Sequence, residues 1–430
     1  MNYLERSAFF LFFCFYFVLP NQFLAQCTHP DYNALVKLYN STDGANWKTN
    51  NGWKEGAAGQ NCKPCTWSFI RCISNRVTEI NFPSGTGLNG SLPKELGELT
   101  ELRTLNINRE PNLKGTLPSE LGNLKKIKIF KIRSTGISGP IPSGIFQSNL
   151  SQLFLSRNQL SGSIPSEIGN ARNLTLLFLN YNNLTGDIPD EIYTLSRATD
   201  MFINDNQLTG TVSPKIGQLQ SLERMSFGAN QLTGTIPEEI GSLRNLSVLK
   251  FFENKMTGTI PSSIKNLRRL NEIKINENQF SGWIIGELAS LSNLTQVQMQ
   301  KNQFECFDEE LKKLCAKGQL KRSSFEENKN PLSWQDFCAN ADYPYICNVA
   351  ARNLKDVLRI YPNPIENYIV LEGLDNLNVT EISIIDQLGH TVLRTAHQSN
   401  IISISDLHKG MYLLNIRAEQ GVINKKILIQ

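Results

Sequence analysis

Apolar positions in the middle of this chain recur in blocks of 24 residues, so one structural unit is being copied. In one block Leu150, Leu153, Leu155, Leu160, Ile164 and Ile168 are apolar, and Asn158, Gly162, Pro165 and Gly169 stand between them. The polar members keep the same step. Asparagine returns at Asn158, Asn182, Asn206, Asn230, Asn254, Asn278 and Asn302, and glycine at Gly162, Gly186, Gly210, Gly234, Gly258 and Gly282. Leu153 and Leu155 alternate as in a strand, whereas the later apolar positions do not follow the 3.6-residue period of an amphipathic helix. The pattern predicts a solenoid in which each turn supplies one short parallel strand and a turning coil. About five buried Leu or Ile side chains per turn, at ~1.5–3 kcal/mol each, hold neighbouring turns together against the entropy of ordering them.

Each polar ladder has a structural reading. An inward asparagine at the end of the strand satisfies backbone groups where the chain turns, glycine suits the tight bend, and Pro165 and its copies suit the extended segment on the back. The block Leu-x-x-Leu-x-Leu-x-x-Asn-x-Leu-x-Gly-x-Ile-Pro resembles the leucine-rich repeat in its plant-specific class, known from plant receptor kinases and polygalacturonase-inhibiting proteins. The likeness is strong at Leu184-Thr-Gly-Asp-Ile-Pro189, Leu232-Thr-Gly-Thr-Ile-Pro237 and Met256-Thr-Gly-Thr-Ile-Pro261, and loosens at Val212-Ser213-Pro214 and Ile284-Ile285-Gly286. The first three copies are irregular, with Thr135 at the asparagine position of the third. The resemblance implies a right-handed solenoid of about ten repeats over residues 77–305, with a parallel β concave face and a coil or 3-10 convex face.

Arg6, the apolar run Ala8 to Leu19 and Leu24-Ala25-Gln26 read as a secretory signal peptide, residues 1–25. That run is too short for a comfortable membrane span, and no other stretch of ~18 apolar residues occurs. The competing lipoprotein reading of Leu24-Ala25-Gln26-Cys27 suffers from the bulk of Gln26. Eight cysteines then remain: Cys27, Cys62, Cys65 and Cys72 before the repeats, and Cys306, Cys315, Cys338 and Cys347 after them. An even number in an exported chain predicts disulfides that staple an N-terminal cap, 26–76, and a C-terminal cap, 306–347. Zinc at Cys62-x-x-Cys65 would want more ligands at finger spacing, and a redox dithiol would want a βαβ setting. Asp31-Tyr-Asn-Ala-Leu-Val-Lys-Leu38, Trp47, Trp53 and Cys65-Thr-Trp67-Ser-Phe-Ile-Arg-Cys72 resemble the N-terminal cap of plant leucine-rich-repeat receptors. That likeness implies Cys65 with Cys72 and Cys27 with Cys62; pairing in the C-terminal cap stays open.

After a polar linker, 348–357, the period stops and residues 358–430 alternate like a small antiparallel β-sandwich. Leu358-Arg-Ile-Tyr-Pro-Asn-Pro364, Ile384-Ile-Asp-Gln-Leu-Gly-His390, Leu407-His-Lys-Gly-Met-Tyr412 and the terminal Lys425-Lys-Ile-Leu-Ile-Gln430 resemble the C-terminal sorting domain of type IX secretion substrates from Bacteroidetes-type bacteria. The resemblance implies the type IX machinery as a partner of 358–430, and a secreted or surface-displayed product.

Composition narrows the chemistry. A net charge of +4 on 430 residues, without a basic block interleaved with aromatics, argues against nucleic acid. The four histidines, His29, His390, His397 and His408, all lie outside the repeats, which leaves no place there for a Ser/His or Cys/His nucleophile. Glu238-Glu239 and Glu309-Glu310 read as solvated faces, and no metal or cofactor signature is present. The reading is a non-enzyme without a cofactor.

Function then rests on the variable face, at six, four, two and one residues before each ladder asparagine. Phe154, Phe178 and Phe202 share the fourth-before position in three successive turns and are expected to stack, with Arg157, Asn180, Tyr181, Asp200, Asn204 and Asp205 around them. Such a column can stack on sugar faces or anchor a peptide, or simply stabilise the sheet. It continues as Ser226, Lys250, Lys274 and Gln298, a more basic stretch offset by Glu253, Glu272 and Glu277. Thr185, Thr209, Thr233 and Thr257, with Thr211, Thr235 and Thr259 beside them, form files on another flank that resemble ice-binding surfaces, although hydroxyls there also bond their own turn. The leading expectation is a binding protein for a protein, peptide or glycan ligand; the alternatives are an adhesive or structural surface protein, an inhibitor of a secreted glycanase, and ice binding.

Overall fold

The computed structural model describes residues 27–316, 322–340, 343–347, 359–361, 367–372, 379–387, 389–395, 401–418 and 421–429; the expected signal peptide, the linker and His397 lie outside them. Contacts divide the chain into two units, 1–209 and 210–430.

The first unit opens with the helix Tyr32–Ser41, which buries Ala34, Leu35, Leu38 and Tyr39 at helical spacing. Trp47 meets Trp53 and Phe82 edge-on at 5.1 Å each, and Trp53 meets Trp67 at 5.1 Å, so the cap has an aromatic core of its own. Disulfides join Cys27 to Cys62 and Cys65 to Cys72. Asp31, fully buried, accepts hydrogen bonds from Arg76 Nη2 at 2.7 Å and from the Val77 backbone N–H at 2.7 Å, tying the cap to the sheet. The hairpin strands Ile70–Ile73 and Arg76–Asn81 start that sheet. Parallel strands Thr104–Glu110, Ile129–Thr135, Gln152–Phe154, Leu176–Phe178 and Asp200–Phe202 follow, in the register Leu153, Leu177, Met201. Those three side chains and Leu155, Leu179 and Ile203 are fully buried. After Pro165 and Pro189 the chain makes single 3-10 segments, Ser166–Asn170 and Asp190–Thr194.

The asparagine ladder does what its position demands. Asn182 Nδ2 donates to the carbonyls of Leu155 and Leu179, both at 2.9 Å, and its Oδ1 accepts from the Leu160 N–H at 3.1 Å. One amide thus satisfies three backbone groups in two turns. In the irregular first copies other residues take the place. Buried Glu110 accepts from the N–H groups of Thr86, Gly87 and Leu88 at 2.6, 2.9 and 3.0 Å, and Thr135 donates its hydroxyl to Asn158 Oδ1 at 2.6 Å. Gly162 and Gly186 have φ of 76° and 75°, the left-handed bend expected of them.

The second unit repeats the design. Its parallel strands are Arg224–Ser226, Val248–Lys250, Glu272–Lys274, Gln296–Gln298 and Arg322–Ser324. Asn254, Asn278 and Asn302 accept from the N–H groups of Leu232, Met256 and Phe280 at 2.9, 3.0 and 3.0 Å. A further rung stands within residues 306–347: Asn328 accepts from the Phe304 N–H at 3.4 Å and donates to the Met299 carbonyl at 3.3 Å. That segment also holds the disulfides Cys306–Cys347 and Cys315–Cys338 around Phe307, Phe325, Trp334 and Phe337. Near the C-terminus, two antiparallel sheets share one core. One comprises Arg359–Tyr361, Tyr368–Glu372 and Ile401–Ser403, and the other Thr391–Thr395, Val379–Ile385, Gly410–Ala418 and Gly421–Ile429. Ile369, Leu371 and Ile402 of the first meet Ile382, Ile384, Leu414 and Ile416 of the second.

Candidate functional site

The solvent face of the first unit's sheet brings the three phenylalanines together. Phe154 and Phe178 have ring centroids 4.8 Å apart and planes 19° from parallel; Phe178 and Phe202 are 4.9 Å apart at 10°. The in-register strands impose that spacing, because equivalent side chains of neighbouring strands stand one strand separation apart. The orientation has a consequence that spacing alone does not predict. The faces of Phe178 are covered by its two neighbours, and Lys131 Nζ lies 5.5 Å from the centroid of Phe154. At Phe178, therefore, ring edges rather than faces are what the column offers outward.

Tyr181 stands beside the column, 41% exposed, with the Arg157 guanidinium 4.3 Å from its ring centroid. Alternation along a strand does not bring these two outward. The regular strands end at Phe154 and Phe178, and Arg157 and Tyr181 both adopt φ of 58°, a left-handed backbone that turns the residue before each ladder asparagine into solvent. Asp205 has φ of 54° for the same reason.

The polar rim is less open than expected. Asp200 is only 4% exposed and accepts from the Thr199 hydroxyl at 3.0 Å; Asn204 is 7% exposed and donates through Nδ2 to Asp205 at 2.5 Å. The carboxamide oxygens of Asn180 and Asn204 are buried without a hydrogen-bond partner. Two cations that the sequence reading left out belong to this face: Lys131 over Phe154, and Arg133, whose buried Nε has no partner. Their signal was available, since they sit four and two residues before Thr135, which replaces the ladder asparagine in that copy.

The second unit carries a different chemistry at the same offsets. Lys250 and Lys274 continue the fourth-before column, and both reach Glu272, at 3.0 and 3.1 Å. The basic stretch expected there is thus half neutralised by one carboxylate, 12% exposed. On another flank, Thr211, Thr233, Thr235, Thr257 and Thr259 are exposed, and Thr233 donates to the Gly210 carbonyl at 3.1 Å.

Comparison with known proteins agrees with both parts of the chain. Residues 359–430 match the family described as secretion system C-terminal sorting domain, and 149–171, 173–195 and 221–243 match leucine-rich repeats. Phytosulfokine receptor 1 of Arabidopsis thaliana is 29% identical over 159 residues, 36% of this chain and 13% of that protein. The solved leucine-rich-repeat ectodomain of the receptor kinase GASSHO1/SCHENGEN3 from Arabidopsis thaliana, in complex with CASPARIAN STRIP INTEGRITY FACTOR 2, is 29% identical with a TM-score of 0.63, over 69% of this chain and 35% of that one. A plant ice-binding protein is 28% identical with a TM-score of 0.55, over 66% of this chain and 89% of that one. The chain therefore spans only a small part of the curated plant receptor it matches. Among the described residues no helix is long and apolar enough to cross a membrane. The chain carries leucine-rich repeats and a C-terminal sorting domain, and that domain indicates type IX export to the cell surface or secretion.

Proposed function

We propose that this exported protein is a recognition module that binds an extended peptide along the phenylalanine column of its first unit, without catalysis. The carrying observation is the stack itself. Its outward edges bear the positive rim of the ring quadrupole, suited to peptide carbonyl oxygens and apolar side chains, whereas pyranose stacking needs an open ring face. Two spacings of 4.8 and 4.9 Å match about three residues of extended chain at ~3.3 Å each. Unpartnered carboxamide oxygens at Asn180 and Asn204 supply acceptors for backbone N–H groups beside the column. The likeness to a receptor ectodomain solved in complex with a bound factor supports a binding role.

The test is a random peptide display selection against the full mature chain, counter-selected with Phe178→Ala. Enriched sequences that lose affinity at least about tenfold in the variant bear the proposal out. Peptides that bind both forms alike, or adhesion to many surfaces without selection, favour an adhesive role, and inhibition of a glycanase panel favours an inhibitor.

A second reading has its own observation: Thr233-Gly-Thr235 and Thr257-Gly-Thr259 expose paired hydroxyl files, and a plant ice-binding protein is among the similar folds. It predicts inhibition of ice recrystallisation that Thr235→Tyr and Thr259→Tyr remove.

A further inference from the structure

The second unit contains one aromatic ring set differently from all those of the column. Phe252 is half-buried, two residues before the ladder asparagine Asn254. In the preceding turn the equivalent position is Gly228, where an added Cβ would stand 2.4 Å from both Cδ1 and Cε1 of Phe252 and 2.7 Å from Cγ. Near-equal distances to three ring atoms put that point over the face of the ring, not at its rim. Phe252 thus lies flat across the Gly228 backbone, and because it is only half-buried its remaining exposure lies away from Gly228. Gly228 is needed here for space, since any side chain would occupy the volume the ring fills.

The surroundings are polar. Lys250 precedes Phe252 on the same face, and Glu272 holds Lys250 and Lys274 at 3.0 and 3.1 Å. In the next turn Asn276 takes the position beside Phe252, linked by the hydrogen bond from Glu253 N–H to the Asn276 carbonyl at 2.9 Å. Asn276 is 6% exposed; its Nδ2 donates to Glu277 at 3.4 Å, and its Oδ1 has no partner. A buried acceptor without a donor is costly, and rotation about the last side-chain torsion, broad in asparagine, can turn it toward a ligand hydroxyl.

We propose that Phe252 is a stacking platform for the pyranose ring of a saccharide, with Asn276 and the Lys250–Glu272–Lys274 group binding its hydroxyls. An open aromatic face carries the negative part of the quadrupole and attracts the polarised C–H groups of a sugar face, and a rim of donors and acceptors suits its hydroxyls. This site is separate from the phenylalanine column, and either can fail without the other.

The experiment titrates the full mature chain with cellotetraose, chitotetraose, laminaritetraose, xylotetraose and mannotetraose, read by saturation-transfer NMR and calorimetry. At least one tetrasaccharide binds, and Phe252→Ala weakens it about tenfold or more, equivalent to about 1.4 kcal/mol. Phe252→Trp retains binding. Gly228→Ala, which leaves Phe252 in place but lifts its ring, weakens it as well, and Phe178→Ala leaves it unchanged. Circular dichroism confirms that each variant folds. The proposal is overturned if no tetrasaccharide binds up to its solubility limit, if Phe252→Ala binds as the parent does, or if Phe178→Ala abolishes binding. It is also overturned if N-acetyl-phenylalanine amide alone occupies the Phe252 face, which would make it a pocket for peptide aromatics.

Discussion

Two stretches of sheet face, one in each unit, rest on the same scaffold and carry opposite chemistry. In the first, Phe154, Phe178 and Phe202 stack, and Lys131 and Arg157 lie against rings. In the second, the same column is Lys250 and Lys274 clamped on Glu272, and the aromatic residue has moved two positions along, to Phe252. Beneath both, Asn182 and Asn254 bond three equivalent backbone groups, and Asn254 adds the Phe252 carbonyl at 3.2 Å. A solenoid separates the residues that must repeat from those free to differ, so ligand chemistry can change from turn to turn without disturbing the fold.

The largest effects should fall on what the two stretches share. Asn182→Ala and Asn254→Ala each strand buried backbone groups, and each should cost about 3 kcal/mol of local stability, read by native-state hydrogen exchange around the altered turn. A difference of several-fold between them would break the claim of a common scaffold. Next comes Phe178→Ala. It removes two ring contacts where Phe202→Ala removes one, at about 0.5–1.5 kcal/mol each, so the central substitution should lower the urea midpoint about twice as far. Equal shifts would mean that the column is not an energetic stack.

Smaller effects sharpen the contrast. Glu272→Gln frees two lysines at a partly exposed site and should cost about 1 kcal/mol or less, shrinking in high salt. Arg157→Gln, which removes a cation from an exposed tyrosine, should cost about 0.5–1 kcal/mol and depend less on salt. If both respond to salt alike, the distinction between paired charges and cations on rings does not hold.

Much of this architecture was legible in the residues themselves. The 24-residue step named the ladder positions, and each has one job, backbone bonding for asparagine, a tight bend for glycine and burial for leucine; hence Asn182, Gly162 and Leu153 could be assigned without coordinates. Stacking of Phe154, Phe178 and Phe202 followed for the same reason, since identical offsets in parallel strands must lie side by side. Ring orientation did not follow. Whether a phenylalanine shows an edge or a face depends on what its neighbours leave room for: Phe178 is walled by two rings, while Phe252 lies down because Gly228 offers no side chain. That Glu272 offsets the basic stretch was legible; that it alone reaches both Lys250 and Lys274, and that Asp200 is buried, was not, because both depend on side-chain conformation rather than on position in the repeat. Lys131 and Arg133 were legible too, four and two residues before Thr135, but only the structure shows Lys131 set against the Phe154 ring.

The most direct test of recognition by the phenylalanine column is the affinity of a display-selected peptide for the full mature chain and for two variants, Phe178→Ala and Lys274→Ala, in one calorimetric series. The account predicts at least about a tenfold loss for Phe178→Ala and less than about twofold for Lys274→Ala. Equal affinities for parent and Phe178→Ala, or a larger loss in Lys274→Ala, would contradict it.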